Sequence, residues 1–331
     1  MCRRLRCSVL RTHTQVPARV TESFILTGYR LEFSFGQCLL SAFRPTNETG
    51  NFWTHFLGLF VFAFNFWELF GREGSRSPLD PFFYPYWTYF VGVCGLLLVS
   101  SMAHLFNSMS LLIREICFFI DYGTISVYTV GSSLSYFYYI YPKGHGLGPL
   151  PTSGQLRWWF ESFYIPSACL IALLCTLSCC NTRRSWRRHR YSIRTLVFLL
   201  PFTVASSPIF YRLYTGTHSS TATPTFFTRH CFWLLASAIF NISKVPERFS
   251  PGKFDIVGHS HQWFHFCTLM SILDELHMIK GELKVPAAAF WASPSFLRTF
   301  GVLFLLQCCT AAVIIGFSIQ ARSTYRVSKL K

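Results

Sequence analysis

Runs of about 20 apolar residues recur along this chain of 331 residues, and each is the length a helix needs to cross the hydrocarbon core of a bilayer. Charged residues make up 13% of the sequence and hydrophobic residues 51%, about half the charged share of an ordinary soluble domain. A water-exposed globule cannot cover itself with so few charges. Inside lipid, backbone N–H and C=O groups must be satisfied within the chain, so the runs are expected to be helices. The fold class predicted is therefore an all-α membrane protein. Eight spans are expected: Phe52–Phe70, Tyr86–Phe106, Ile116–Tyr141, Phe160–Cys180, Leu196–Tyr214, Phe226–Ile242, Ile256–Ile279 and Phe296–Ile319.

The net charge of +16 does not point to nucleic acid, because Lys and Arg cluster between the apolar runs and form no basic face. Eight spans put both termini on one side. That side carries 21 of the 30 Lys and Arg residues, with the block RRSWRRHRYSIR (Arg183–Arg194) the densest. By the positive-inside rule both termini are expected in the cytoplasm. The sequons at Asn47 and Asn241 then face the cytoplasm and should carry no glycan. Most of the thirteen cysteines lie in apolar runs with no CxxC pair, as reduced, buried residues do. The basic N-terminus lacks the apolar core of a cleavable signal peptide. Ahead of the first span, CLLSAFR (Cys38–Arg44) has helical apolar spacing and suits the membrane interface.

Ionisable side chains inside a span are costly and mark function. His104 lies just before the cytoplasmic end of the second span, Asp121 five residues into the third, and His261 and His265 near the start of the seventh. At about 1.5 Å per residue all four fall within roughly 15 Å of one boundary. His261 and His265, four apart, project from one helix face. With His104 they make a three-histidine set that leaves a fourth position for water, the open arrangement of catalytic zinc. Asp121 is placed to orient that water or a ligand histidine, and Ser100, one turn before His104, to do similar work. The competing reading makes these interfacial histidines bonded to lipid phosphate or backbone. His259, out of phase with the other two, is expected to be a solvated or hydrogen-bonded edge residue. His55 reads as a helix-entry residue of the first span beside the interfacial anchor Trp53, with membership of the histidine cluster as the alternative. Glu68, Asp274, Glu275 and His277 are read as solvated at the opposite boundary.

TNETGNFWTH (Thr46–His55), SSMAHLFNSMS (Ser100–Ser110), FFIDYG (Phe118–Gly123), LPF…SSPIFYRL (Leu200–Leu213) and VPERFSPGKFDIVGHSHQWFHFC (Val245–Cys267) together resemble the progestin and adipoQ receptor family, in order and spacing from about Gln15 to the end of the seventh span. The wording is closest to its membrane progestin receptor branch, of gamma or delta type. The resemblance implies zinc (Zn2+) on His104, His261 and His265, with Asp121 close by. It also implies a seven-helix core with an eighth C-terminal transmembrane helix. The expected division is a cytoplasmic N-terminal segment over 1–51, a core with the metal site over 52–280, a loop and eighth span over 281–320, and a cytoplasmic tail over 321–331. The implied function is a plasma-membrane receptor for a progestin steroid or other lipid ligand, signalling rapidly outside the nucleus with G proteins as partners. Two alternatives stand beside it. One is a zinc-dependent intramembrane lipid amide hydrolase, ceramidase-like, with Asp121 and Ser100 catalytic; the other is zinc as a structural clamp. Leu105 replaces the family's usual threonine, and FNISKVPER (Phe240–Arg248) replaces its usual His-Leu-Pro-Glu-Arg approach.

Overall fold

The computed structural model describes residues 9–72, 77–141, 154–186, 189–215, 222–284 and 293–330. Arg187 and Arg188 of the basic block, Pro142, Pro149 and Pro151, and most of the loop expected before the last span lie outside the described residues. The described residues form helices and hold no strand, only an isolated bridge between Arg11 and Tyr29. In chain order the helices are α1 (Phe35–Ser41), α2 (Thr49–Arg72), α3 (Tyr84–Phe106), α4 (Leu111–Ser135), α5 (Gly154–Arg184), α6 (Arg190–Ala205), α7 (Ser207–Thr215), α8 (Ala222–Ser243), α9 (Ser260–Leu283) and α10 (Val302–Leu330). The chain is an all-α membrane protein.

Four stretches, those of α2, α3, α5 and α10, are by themselves long and apolar enough to cross a bilayer. The α6–α7 pair passes the same test as one broken span. Helices α4, α8 and α9 have 25, 22 and 24 residues, ample length for a crossing, but carry polar groups that dilute their hydropathy. Neighbour packing runs α2–α3–α4–α5–α6–α8–α9 and back to α2, closing a ring of seven, while α10 packs outside against α4 and α5. Apolar side chains such as Phe60, Phe64, Leu170, Phe232, Phe304 and Leu305 cover the outward faces.

Small residues set the tightest contact. A Cβ added at Gly92 of α3 would lie 2.8 Å from the Tyr128 backbone, and one at Gly131 of α4 would lie 2.7 Å from the Thr88 carbonyl oxygen. The two backbones touch there, as small residues allow between membrane helices.

Among the helix starts and courses that differ from expectation, three have a local reason. The expected span Leu196–Tyr214 is broken and bent by 49° at Ser206. Pro208 has no N–H to give Val204, four residues back, and its ring crowds that carbonyl. The Ser207 hydroxyl donates to the Val204 oxygen instead, at 2.8 Å. Helix α9 begins at Ser260 and not at Ile256, because Gly258 adopts φ +85° and His259 is extended. The helix start is capped from outside: Glu247 accepts from the Ser260 N–H at 2.7 Å and from the Ser260 hydroxyl. Helix α4 starts five residues early, with the Ser110 hydroxyl accepting from Ile113 N at 3.1 Å.

The N-terminal segment folds over one end of the bundle. Asp255 ties it down, accepting from Leu26 N at 3.0 Å and Thr27 N at 2.7 Å. Its short helix α1 starts at Phe35, three residues before the expected stretch, in a capping box of Ser34 and Gln37. Phe35, Leu39, Leu40 and Phe43 are exposed, as suits a helix lying at an interface.

Candidate metal centre and cavity

Each of the three histidines is presented by a helix end that another residue holds in place. His104 sits two residues before the end of α3, where the last carbonyls lack helical partners. The buried Arg30 guanidinium supplies them, donating to the oxygens of His104 at 2.5 Å and Leu105 at 2.9 Å. A cation there also opposes the negative end of the helix dipole. His261 and His265 lie in the first two turns of α9, on one face.

The ring nitrogens are sorted by their neighbours. His104 Nδ1 donates to Glu48 Oε2 at 2.7 Å, and Glu48 is held in turn by the side-chain amides of Asn51 (2.8 Å) and Asn107 (2.9 Å). His265 Nδ1 lies 3.1 Å from the Asn51 carbonyl oxygen and 3.0 Å from Thr54 Oγ1. A carbonyl can only accept, so Nδ1 carries the proton and Nε2 is left bare in both rings. The Nε2 atoms of His104 and His261 face each other at 3.3 Å. One ligand atom from each of the three histidines falls within 4.8 Å of the others. Zinc–nitrogen bonds of 2.0–2.1 Å in tetrahedral array separate the nitrogens by about 3.4 Å, a spacing that the His104–His261 pair already has. The bare Nε2 of His104, turned on a second ring nitrogen, calls for a cation or a proton between them.

Glu48 stands just outside α2. Burial alone would raise its pKa, but His104 together with the guanidinium groups of Arg114 and Arg30 holds it well below the usual carboxylate range. A carboxylate bonded to the outer nitrogen of a ligand histidine fixes that ring's tautomer and orientation.

The histidines open into a cavity with about 1890 Å³ of empty space, its open mouth included. Asp121 and Ser100 share its wall with His104, with the Ser100 hydroxyl near the Asp121 carboxylate. Asp121 is not one of the clustered donors. The cavity extends through Ile125, Tyr128 and Phe202 to Glu275.

Glu275, expected to be solvated, is 1% exposed and faces this cavity. It accepts from the hydroxyls of Tyr89 (3.1 Å), Tyr128 (2.6 Å) and Ser132. Asp274 is also buried and pairs with Arg229 at 3.0 Å. Their helix continues to Leu283, so both stand well before its end.

Two further histidines differ from expectation. His55 is buried, with its ring stacked on that of His265 at 3.7 Å between centroids, and neither of its nitrogens has a partner. Trp53 does anchor nearby, through Nε1 to the Ala42 carbonyl at 2.7 Å. His259 is not solvated; buried at the start of α9, it uses Nε2 to bond the Asn47 carbonyl at 3.1 Å. Both sequon asparagines are buried too, with the Asn241 side chain donating to Thr195 at 3.3 Å. Sequence reasoning passed over Arg30, Glu48, Asn51 and Asn107. The signals that pointed to them were the positions of Glu48 and Asn51 inside TNETGNFWTH and of Asn107 inside SSMAHLFNSMS.

A haemolysin-III-related family model matches residues 43–275. Human membrane progestin receptor gamma is 32% identical over 324 residues, covering 95% of this chain and 94% of that protein. Human membrane progestin receptor delta is 35% identical over 284 residues, covering 83% and 79%. Mouse membrane progestin receptor gamma is 36% identical over 263 residues, covering 78% and 76%. The chain belongs to the haemolysin-III-related, or progestin and adipoQ receptor, family.

Proposed function

We propose that this chain is a membrane receptor for a progestin-type steroid, with a zinc ion held by His104, His261 and His265. The observation that carries the reading is the cavity that joins the histidines to Glu275, in a chain whose relatives bear the name membrane progestin receptor. Its lining combines apolar residues with a few fixed polar groups, the usual make-up of a site for a small apolar ligand. When bound there, zinc would polarise a ligand oxygen or activate water. The chain's own part is to orient the rings through Glu48 and Asn51 and to tie α3 to α9 across α2. The receptor acts at the plasma membrane with both termini in the cytoplasm, where the basic loops are available to G proteins; the bias in Lys and Arg supports that orientation.

The nearness of Ser100 and Asp121 in the same wall favours a second reading, hydrolysis of a lipid amide such as ceramide. In that reading Asp121 takes a proton from water and Ser100 keeps the carboxylate aimed at it. A purely structural role for zinc is compatible with the receptor. Progesterone binding to purified protein, before and after chelation, tests the first reading, and the expected result is loss of binding with the metal. Binding that survives chelation separates zinc from the receptor. Fatty acid released from ceramide, and abolished by Asp121→Asn, would establish the hydrolase.

A further inference from the structure

We propose that the far end of the cavity recognises a hydroxyl group on an otherwise apolar ligand, a hydroxyl that donates to Glu275 and accepts from Tyr136. The proposal rests on the cavity being a ligand site but not on the ligand being a progestin.

Glu275 lies ten residues beyond His265 on α9, about 15 Å along the helix. Among the described residues it has no Lys or Arg within ion-pair distance, so hydrogen bonds alone compensate its burial. A carboxylate has about four acceptor directions. Tyr89 and Tyr128 share Oε2, Ser132 takes one direction on Oε1, and one remains. Tyr136 is 1% exposed, turns toward the same carboxylate, and its hydroxyl completes no hydrogen bond of normal geometry. It opens the five-residue π-helical turn Tyr136–Ile140 that ends α4, where the wider winding takes it off the α-helical register. Such turns recur at functional sites. Glu275 and Tyr136 both line the cavity.

An unfilled acceptor direction beside an unused hydroxyl matches one chemical group. A ligand hydroxyl donates its proton to Glu275 and offers a lone pair to Tyr136. A ketone has no proton for the carboxylate, and an ammonium has no lone pair for the tyrosine. Leu96, Ile125 and Ile272 nearby leave an apolar skeleton as the rest of the ligand.

The test compares alcohols with their matching ketones on the purified full-length protein. One set is progesterone against its 3-alcohol and its 20-alcohol; the other is 2-hexadecanol against 2-hexadecanone. An alcohol is expected to bind about tenfold or more tightly than its ketone, the usual worth of a hydrogen bond to a charged group. Glu275→Gln, whose amide can donate to a ketone, should erase the preference, and Tyr136→Phe should weaken the alcohol severalfold. Because the main comparison uses the unaltered protein, a variant that fails to fold does not obscure it. Absence of any alcohol preference in both sets overturns the proposal, as does a preference that persists undiminished in folded Glu275→Gln. A preference confined to the aliphatic pair upholds the hydroxyl site and defeats the progestin reading.

Discussion

At the histidine end of the cavity, the Nδ1 protons of His104 and His265 are committed to outer partners, which leaves Nε2 bare in both rings, and the bare Nε2 of His104 faces His261. At the Glu275 end the opposite holds: a single carboxylate is surrounded by hydroxyls that already satisfy most of its capacity. A surplus of lone pairs is stabilised by a cation, whereas a nearly saturated carboxylate needs only one more neutral hydrogen bond. Both ends are buried polar clusters in an apolar bundle, yet the physics assigns them different ligands. The contrast shows that burial and polarity alone do not identify a metal site; the direction in which protons have been committed does.

Removing Glu48 should break the comparison hardest. Glu48→Ala leaves the buried His104 ring and the Asn51 and Asn107 amides without their acceptor, and each stranded donor costs about 1–3 kcal/mol. Zinc affinity should fall by about 10–100-fold, read by competition with a chelator, because the ring loses its orienting partner. Unchanged affinity would mean that Arg30 and the helix alone position His104.

At the other end, Glu275→Ala should lower stability by about 1–3 kcal/mol, since three hydroxyls lose their acceptor, while zinc content stays at the unaltered level. Metal loss in a folded Glu275→Ala protein would show that the two ends are one coupled unit. His55→Phe sharpens the border of the metal site. The phenyl ring keeps the stack on His265 and removes two buried nitrogens that bond nothing, so stability should hold or rise by about 1 kcal/mol and zinc should remain. Loss of zinc in this variant would make His55 a fourth ligand.

The smallest effect concerns Lys244, just beyond the end of α8. Burial pushes its amine down to about 8, against the pull of Glu22 and Glu247, and its Nζ lies 3.9 Å from the centre of the Tyr191 ring. Between pH 8 and 10 the unfolded chain binds this proton more fully than the folded one, so stability should rise with pH in that window. Lys244→Met should flatten that rise in thermal-melt measurements; an equal rise in the variant would assign it to other groups.

The ring of helices was legible because apolar runs of span length have one stable form in lipid. The three histidines were legible for a related reason: the four-residue spacing of His261 and His265 fixes a face, and counting residues places His104 at the same depth. Glu48 and Arg30 were not, because they come from the irregular chain ahead of α2, where no periodicity says what a side chain meets. Glu275 was misread because the seventh span was taken to end at Ile279, which set it near a wet boundary. The actual helix ends at Leu283, and the hydroxyls that satisfy Glu275 come from α3 and α4, between 143 and 186 residues away in the sequence and beyond any local signal. The bend at Ser206 was not foreseen: Pro208 stands beside it in the sequence, but a proline inside a long apolar run does not reveal how far the helix will turn. Burial of Asn47 also removes its glycan as a marker of sidedness, so protease protection of the chain termini is the sounder check on orientation.

Metal content of the purified full-length chain, measured for the unaltered protein and for His104→Ala, His261→Ala and His265→Ala after verifying helix content, tests the central claim most directly. The account predicts about one zinc per chain in the unaltered protein and loss of it in each variant, as expected for a site with three protein ligands. A metal-free unaltered protein, or full occupancy in any folded variant, would contradict it.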